Sequence, residues 1–147
     1  MNRVVVITGA SDGIGAEMAR QLASKEGAGI ALVLAARNAA QLEAVAGECA
    51  ALGAQTLAVP TDVGIQIQCR RLVVCAIERF GRIDVLVNNA GRSAHALFEE
   101  VEDLSWYEEL MRVNLWGSVW CTQAALPALK ASQGKIVAVS SLAGLVG

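Results

Sequence analysis

Short runs in which every residue is apolar or small alternate along the chain with longer stretches of helical spacing. The runs are residues 4–7, 30–35, 56–59, 85–87 and 136–139. Continuous apolar runs of this length are typical of strands buried on both faces of a parallel sheet, and the stretches between them predict covering helices. The alternation predicts a three-layer α/β domain with five strands.

Three helices are predicted between the first four strands. The first ends at Gly27, a suitable left-handed stop, and the second opens with the capping-box pattern of Asn38 and Gln41 and ends at Gly53. The third covers residues 66–80. The predicted inward positions are Ile14, Met18, Leu22 and Ala23 in the first helix, Leu42, Val45, Cys49 and Leu52 in the second, and Cys69, Leu72, Val73, Ala76 and Phe80 in the third.

A fourth helix is predicted from Ser105, which forms an S-x-x-E capping box with Glu108. One of its apolar stripes comprises Leu104, Tyr107, Met111, Leu115, Val119, Thr122 and Leu126, and the other comprises Leu110, Val113, Gly117, Trp120 and Ala124. A helix that is apolar on two sides is normally buried on both. One stripe is therefore expected to pack on the sheet, and the other needs another helix or another subunit.

Composition and charge narrow the possible functions. The chain has 147 residues and 54% hydrophobic content, which suits one domain spanning residues 1–147. Its net charge of -2 comes from 12 basic and 14 acidic residues and gives no reason to expect nucleic acid or an anionic membrane as partner. The longest apolar stretch, residues 28–36, is far shorter than the roughly 20 residues of a membrane span. No charged leader precedes residues 4–7, so a cytoplasmic location is expected.

The four cysteines contain no C-x-x-C pair, and the only histidine, His95, is distant from them in sequence. A zinc site therefore has no local scaffold, and the cysteines are expected to be reduced, packed thiols. His95 is expected in a loop, either solvated or touching a substrate.

A glycine-rich turn follows the first strand directly. The glycines permit positive φ and let backbone amides approach a diphosphate at the positive end of a helix dipole. A glycine cluster alone is also compatible with a plain tight turn. Here the strand before it, the helix after it and a second strand ending about 20 residues later reproduce a dinucleotide-binding unit, a Rossmann-type doubly wound sheet with strand order 3-2-1-4-5. Its candidate binding residues are Thr8, Gly9, Ser11, Asp12, Gly13, Ile14 and Gly15.

The second strand ends at Arg37, where an acidic side chain would hold the ribose hydroxyls of NAD. A guanidinium instead suits the 2′-phosphate of NADP, which a carboxylate would repel. NADP is therefore favoured over NAD. Arg37 is also compatible with a solvated residue before a helix. The carboxylate of Asp12, beside the phosphates, does not favour the additional negative charge of NADP.

Several motifs in order resemble the classical short-chain dehydrogenase/reductase family over the whole chain. Besides the glycine turn they are Thr61-Asp62-Val63, Asn88-Asn89-Ala90-Gly91, Asn114, and a strand ending in Ser140-Ser141. The resemblance implies cofactor contacts by Asp62, Val63, Asn89, Ala90 and Gly91. A flavodoxin-like or response-regulator fold shares the alternation of elements but does not explain these motifs together.

The resemblance also implies hydride transfer between NADP(H) and a small-molecule carbonyl or alcohol. Ser141 corresponds to the catalytic serine, with Ser140 supporting, although the pair alone is also compatible with a turn. Asn114 corresponds to the asparagine that helps to hold a proton-relay water. The family's Tyr-x-x-x-Lys pair has no match, because the single tyrosine, Tyr107, is followed four residues later by Met111. A chain ending at Gly147 is therefore expected to be truncated and inactive in isolation.

The family's further strands and helices are not among these residues, so the fifth strand is expected to be an exposed apolar edge. Self-association is expected through that edge or through the Trp120 face of the fourth helix. The rival interpretation is a nucleotide-binding module without catalysis, or a truncated form that acts through partners.

Overall fold

The computed structural model describes residues 2–145, so predictions that fall on Met1, Val146 and Gly147 lie outside the described residues. Five parallel strands form one sheet in the order β3-β2-β1-β4-β5, as predicted. The strands are β1 (Arg3–Thr8), β2 (Ile30–Ala36), β3 (Gln55–Pro60), β4 (Val85–Asn88) and β5 (Lys135–Ala138). Because the order reverses at β1, the carboxyl ends of β1 and β4 flank the crevice where such sheets bind ligands.

The helices cover both faces of the sheet. They are α1 (Gly13–Glu26), α2 (Ala39–Ala51), α3 (Gln66–Phe80), α4 (Ser105–Met111) and α5 (Gly117–Ser132). Alternate residues of β1 enter different cores: Val4 and Val6 pack with α3 and α5, whereas Val5 and Ile7 pack with α1 and α2. This two-sided burial explains why β1 and β2 are apolar along most of their length.

Helix α1 packs on the sheet through small residues. Its buried positions are Gly15, Ala16, Ala19 and Ala23. The predicted apolar stripe is wrong at Ile14, which is 65% exposed, and Leu52 beyond α2 is exposed as well. Small side chains allow the helix axis to lie close to the strands. The inward face of α1 is therefore determined by the size of its side chains rather than by their hydrophobicity.

The predicted fourth helix differs from expectation at its start. Its S-x-x-E capping box is absent, because Ser105 already lies inside α4 and its backbone amide donates to the Asp103 carboxylate, 2.9 Å away. Hydrogen bonds from Ser105 lower the pKa of the Asp103 carboxyl below its usual value. The capping group is therefore two residues earlier than predicted.

The same helix contains a π-helical segment, Arg112–Trp116, between α4 and α5. The Gly117 amide donates to the Arg112 carbonyl five residues back, which defines the wider turn. Beyond it the buried residues are Gly117, Cys121, Ala125 and Leu129. The expectation that the Trp120 face is unpartnered is wrong: Trp120 is partly buried against the core, and the exposed stripe is the one with Met111, Leu115 and Val119.

Strand β5 is the exposed apolar edge that was expected, with Ile136 and Val137 each more than two-fifths exposed. All four cysteines are free thiols and three are buried, in agreement with the prediction. Within residues 2–145 no helix is long and apolar enough to cross a membrane.

Candidate functional site

A cavity of about 590 Å³ lies at the carboxyl ends of the strands, centred on the turn between β1 and α1. Its walls come from the ends of β1, β2, β3 and β4 and from the π segment. The lining residues are Gly9, Ser11, Asp12, Ala36, Arg37, Asn38, Gln41, Thr61, Asp62, Val63, Ala90, Gly91, Arg92 and Val113. This volume lies within the usual range of small-molecule sites.

The turn has the geometry that binds a diphosphate. Gly9 and Gly13 have φ of +65° and +50°, which L side chains rarely adopt. Asp12, the residue before α1, has extended backbone, and its side chain makes no capping hydrogen bond. The first amides of α1 therefore keep their hydrogen-bonding capacity for an anion, and the helix dipole adds a positive potential there.

Close packing behind the turn leaves room for glycine only. A Cβ at Gly9 would lie 2.8 Å from the Ala90 Cα, and a Cβ at Gly15 would lie 2.5 Å from the Asn89 Nδ2. The turn is thus pressed directly against the segment after β4. The sequence motif and the contacts agree on why Gly9 and Gly15 are glycines.

Thr8 and Asn89 tie the two segments together. The buried Thr8 hydroxyl accepts hydrogen bonds from the Asn89 and Ala90 amides, at 3.1 and 3.0 Å, and donates to the Val87 carbonyl at 3.4 Å. In return the Asn89 side chain donates to the Thr8 and Gly9 carbonyls, at 3.0 and 3.1 Å. Both residues act behind the cavity wall rather than in it.

The rim formed by the end of β2 carries a cation and two amides. Arg37 is exposed and lines the cavity, and Asn38 accepts the Gln41 amide at 3.1 Å, which confirms its predicted helix-capping role. The lining residues of this rim include no carboxylate. The rim therefore offers hydrogen-bond donors and one full positive charge to an anionic group.

The segment after β3 forms the opposite wall. Asp62 Oδ1 accepts the Gly64 amide at 2.8 Å, and the Asp62 amide donates to the Gln68 side chain at 2.7 Å. Asp62 and Val63 therefore have defined positions in the wall. Gly117 of α5 lies directly behind Val63, because a Cβ on Gly117 would lie 2.8 Å from Val63 Cγ2.

Two buried thiols support the same wall. Cys69 Sγ donates to the Val63 carbonyl at 3.3 Å. A hydrogen bond with Cys69, together with burial, raises the pKa of the Cys121 thiol. Cys121 therefore stays protonated, and both thiols serve as packed hydrogen-bonding groups beneath Val63.

Asn114 belongs to the π segment and binds the loop after β4. Its side chain accepts the Arg92 amide and donates to the Arg92 carbonyl, each at 2.8 Å. The Asn114 side chain thus makes the same two hydrogen bonds to the Arg92 backbone that a neighbouring strand would make. Arg92 in turn pairs with Glu109 of α4 at 3.3 Å.

Ser140 and Ser141 follow β5, next to the end of β4. The Val139 amide donates to the Asn88 carbonyl at 3.0 Å, and the Ser141 hydroxyl accepts the Ala143 amide at 3.1 Å. The serine pair is exposed on the same edge of the sheet as the cavity but does not line it. His95 is an exposed loop residue.

The predicted cofactor residues divide into two groups. Those that line the cavity are Gly9, Ser11, Asp12, Arg37, Asp62, Val63, Ala90 and Gly91; those that lie behind or beside it are Thr8, Gly13, Ile14, Gly15 and Asn89. Sequence reasoning missed Ala36, Thr61, Arg92 and Val113 as cavity residues and took Asn38 and Gln41 only as a helix start. The signal for Arg92 was its position directly after the Asn88–Gly91 motif.

The sequence matches the family described as short chain dehydrogenase over residues 3–147. The chain belongs to the short-chain dehydrogenase family. Among curated relatives of the chain, 11-beta-hydroxysteroid dehydrogenase A of Sesamum indicum is 46% identical over 95% of the chain and 39% of the relative. The 11-beta-hydroxysteroid dehydrogenase-like 4A of Arabidopsis thaliana is 42% identical over 99% of the chain and 48% of the relative. The chain thus spans less than half the length of these relatives.

Solved structures of the family superpose closely on this chain. An alcohol dehydrogenase from the archaeon Thermococcus sibiricus, complexed with 5-hydroxy-NADP, has a TM-score of 0.89 and 34% identity over 96% of the chain and 59% of that structure. An NADH-dependent reductase responsible for alginate metabolism has a TM-score of 0.90 and 29% identity over 99% of the chain and 61% of that structure. The neighbours therefore include enzymes of both nicotinamide cofactors.

Proposed function

We propose that the chain forms the NADP(H)-binding part of an oxidoreductase that transfers hydride between the nicotinamide and a carbonyl or alcohol carbon. The observation that carries the proposal is one cavity that joins the glycine turn to the cationic rim at Arg37. When bound, the nicotinamide supplies the hydride chemistry, and the chain binds and orients it. The proposed binding residues are Thr8, Gly9, Ser11, Asp12, Gly13, Ile14, Gly15, Arg37, Asp62, Val63, Asn89, Ala90 and Gly91.

The preference for NADP(H) over NAD(H) rests on Arg37. A guanidinium at the end of β2 pairs with a 2′-phosphate, which the ribose of NAD lacks. Binding of NADPH and NADH should be measured by titration calorimetry with the unmodified chain, Arg37→Gln and, as control, Arg70→Gln on α3. We expect Arg37→Gln to weaken NADPH about tenfold or more and to leave NADH unchanged. Tighter binding of NADH by the unmodified chain would contradict the assignment.

Two residues are proposed for the chemical step. Ser141, at the carboxyl end of a parallel strand beside the crevice, donates a hydrogen bond to the substrate oxygen. Asn114 orders the proton path through the loop that it binds. In the family, the general acid/base is the Tyr of the Tyr-x-x-x-Lys pair, and the Lys assists it because an unassisted Tyr titrates near ~10. Because Tyr107 lacks that Lys partner, we propose that residues 1–147 by themselves bind cofactor without turnover.

A rival proposal is a nucleotide-binding module without catalysis. Cofactor oxidation should be followed with a panel of aldehydes, ketones and, because of the curated relatives, oxidised steroids. Turnover by the native protein supports the oxidoreductase. Clear NADPH binding without turnover of any member favours the module. Intact mass of the native protein would show whether its polypeptide is longer than 147 residues.

We also propose that the chain forms homo-oligomers through α4 and α5 or through β5. The outward stripe at Met111, Leu115 and Val119 is exposed, as are Ile136 and Val137 of β5. Apolar surface and a free strand edge both favour association. Sedimentation that shows a stable monomer at high concentration would reject the proposal.

The free thiols fit a reducing compartment, and we propose a cytoplasmic location.

A further inference from the structure

The loop after β4 contributes a cation that the proposed function does not use. Arg92 lines the nucleotide cavity, and its backbone is held at both the amide and the carbonyl by Asn114, each at 2.8 Å. These bonds involve Arg92 backbone atoms only. The position of the residue is therefore set independently of its side chain, whose guanidinium pairs with the exposed carboxylate of Glu109.

Strand order fixes the location of this cation relative to the glycine turn. β1 lies between β2 and β4, so Arg37 after β2 and Arg92 after β4 flank the turn from opposite sides. Neighbouring strands are about 4.8 Å apart, and the ends of β2 and β4 are therefore roughly 10 Å apart. The turn at Gly9 lies between these two residues.

The charges that line the cavity leave a role for a second cation. Its carboxylates are Asp12 and Asp62, and its cations are Arg37 and Arg92. A dinucleotide brings two negative charges on its diphosphate, next to Asp12. Arg37 lies on the ribose side of the crevice, which leaves Arg92 to balance the diphosphate charge together with the dipole of α1.

The present partner of Arg92 is easily exchanged. Arg92 and Glu109 are 3.3 Å apart, and their side chains are 44% and 61% exposed. An ion pair in that much solvent contributes little. A diphosphate within the cavity offers the same guanidinium a doubly charged partner.

We propose that Arg92 is a cofactor-binding residue that leaves Glu109 and pairs with the diphosphate of the nicotinamide dinucleotide. This rests on the proposed nucleotide-binding function and adds a specific residue to it. Arg37 distinguishes the two cofactors, whereas Arg92 contacts a group that both contain. The two arginines therefore have different signatures in binding experiments.

The test compares NADPH and NADH binding to the full chain with Arg92→Gln, Glu109→Gln and Arg37→Gln, each checked for native circular dichroism. Arg92→Gln should weaken both cofactors by about tenfold, the equivalent of one charge-assisted contact. Glu109→Gln should tighten both, about twofold, because it releases the guanidinium. Arg37→Gln should affect NADPH alone.

Other outcomes overturn the inference in distinguishable ways. If both cofactors bind normally to Arg92→Gln, Arg92 is not a binding residue, although the proposed function stands. If Arg92→Gln weakens NADPH only, the residue meets the 2′-phosphate, and the diphosphate assignment is wrong. Weaker binding by Glu109→Gln would show that the ion pair itself supports the site. If the unmodified chain binds neither nucleotide, the proposed function fails together with the inference.

Discussion

The hydroxyl of Thr8 offers the sharpest test of how the cavity is held together. It accepts two backbone amides, those of Asn89 and Ala90, and the residue is 2% exposed. Thr8→Val replaces the hydroxyl by a methyl of similar volume, so it creates no cavity. The change leaves two amides without their acceptor behind the cavity wall.

The expected cost is set by the unsatisfied amides. Each buried amide that loses its acceptor costs about 1–3 kcal/mol. Asn89 and Ala90 are only partly buried, and water relieves part of this, so we expect a loss of about 2–4 kcal/mol in the free energy of unfolding. The matched control, Thr8→Ser, keeps the oxygen and loses one methyl, at about 1 kcal/mol.

Urea unfolding followed by circular dichroism would measure the difference. Equal slopes with a lower midpoint for Thr8→Val would show that stability, rather than the unfolded state, has changed. NADPH binding should weaken as well, because Gly9 and Ala90 line the cavity on the two sides of this contact. If Thr8→Val is as stable as Thr8→Ser, the hydroxyl does not hold the two segments together, and its role behind the cavity wall is refuted.

Two further predictions concern packing and capping. Gly117→Ala places a Cβ 2.8 Å from Val63 Cγ2 and should destabilise by about 1–3 kcal/mol while weakening NADPH binding; Gly47→Ala, with open space around it in α2, should stabilise by about 0.5–1 kcal/mol. Urea unfolding of both variants checks this, and equal effects would contradict it. Asp103→Ala should lower the melting temperature, whereas Glu108→Gln should not. The pKa of Asp103 is lowered from 3.8, so its contribution is complete above that value and lost as the pH falls further; melting curves from pH 7 to pH 2 should converge on those of Asp103→Ala.

The centre of the sheet could be predicted from sequence because β1 and β2 are buried on both faces. An uninterrupted apolar run such as residues 30–35 has few alternatives once glycine turns and helical stretches bound it. All five predicted strands are present, with ends within one residue of those predicted. The helix faces were harder, because α1 packs through alanine and glycine, which hydrophobic periodicity underweights.

Helix four shows a second reason for error. The predicted stripe with Val113, Gly117, Trp120 and Ala124 does pack against the core, although Trp120 and Ala124 are only partly buried. The buried residues that follow Gly117 are Cys121 and Ala125, because the inward face continues with a spacing of four residues where the prediction counted three. The π segment, Arg112–Trp116, interrupts the helix before this face begins. Nothing local in the sequence signals the π turn.

Residues of the candidate site could be predicted from sequence where they directly follow a strand. They could not be predicted where residues distant in sequence meet. The glycine turn and Arg37 follow their strands directly, so both could be proposed from the motif alone. Arg92 lines the cavity with its backbone held by Asn114, 22 positions later, and Gly117 matters through its contact with Val63. Such long-range contacts require coordinates.

The inward face of α1 consists of alanine and glycine, so we expect this face to tolerate substitution much less well than the outward face. Inward substitutions at Gly15, Ala16, Ala19 or Ala23 would lift the helix from the strands and carry its amino-terminal amides away from the cavity. Substitutions at exposed positions such as Ser24 and Lys25 meet mainly solvent. Random variants of this helix should therefore separate into two classes with few intermediates, and libraries aimed at altered coenzyme preference should leave the inner face untouched and diversify the rim at Arg37 and Asn38 instead.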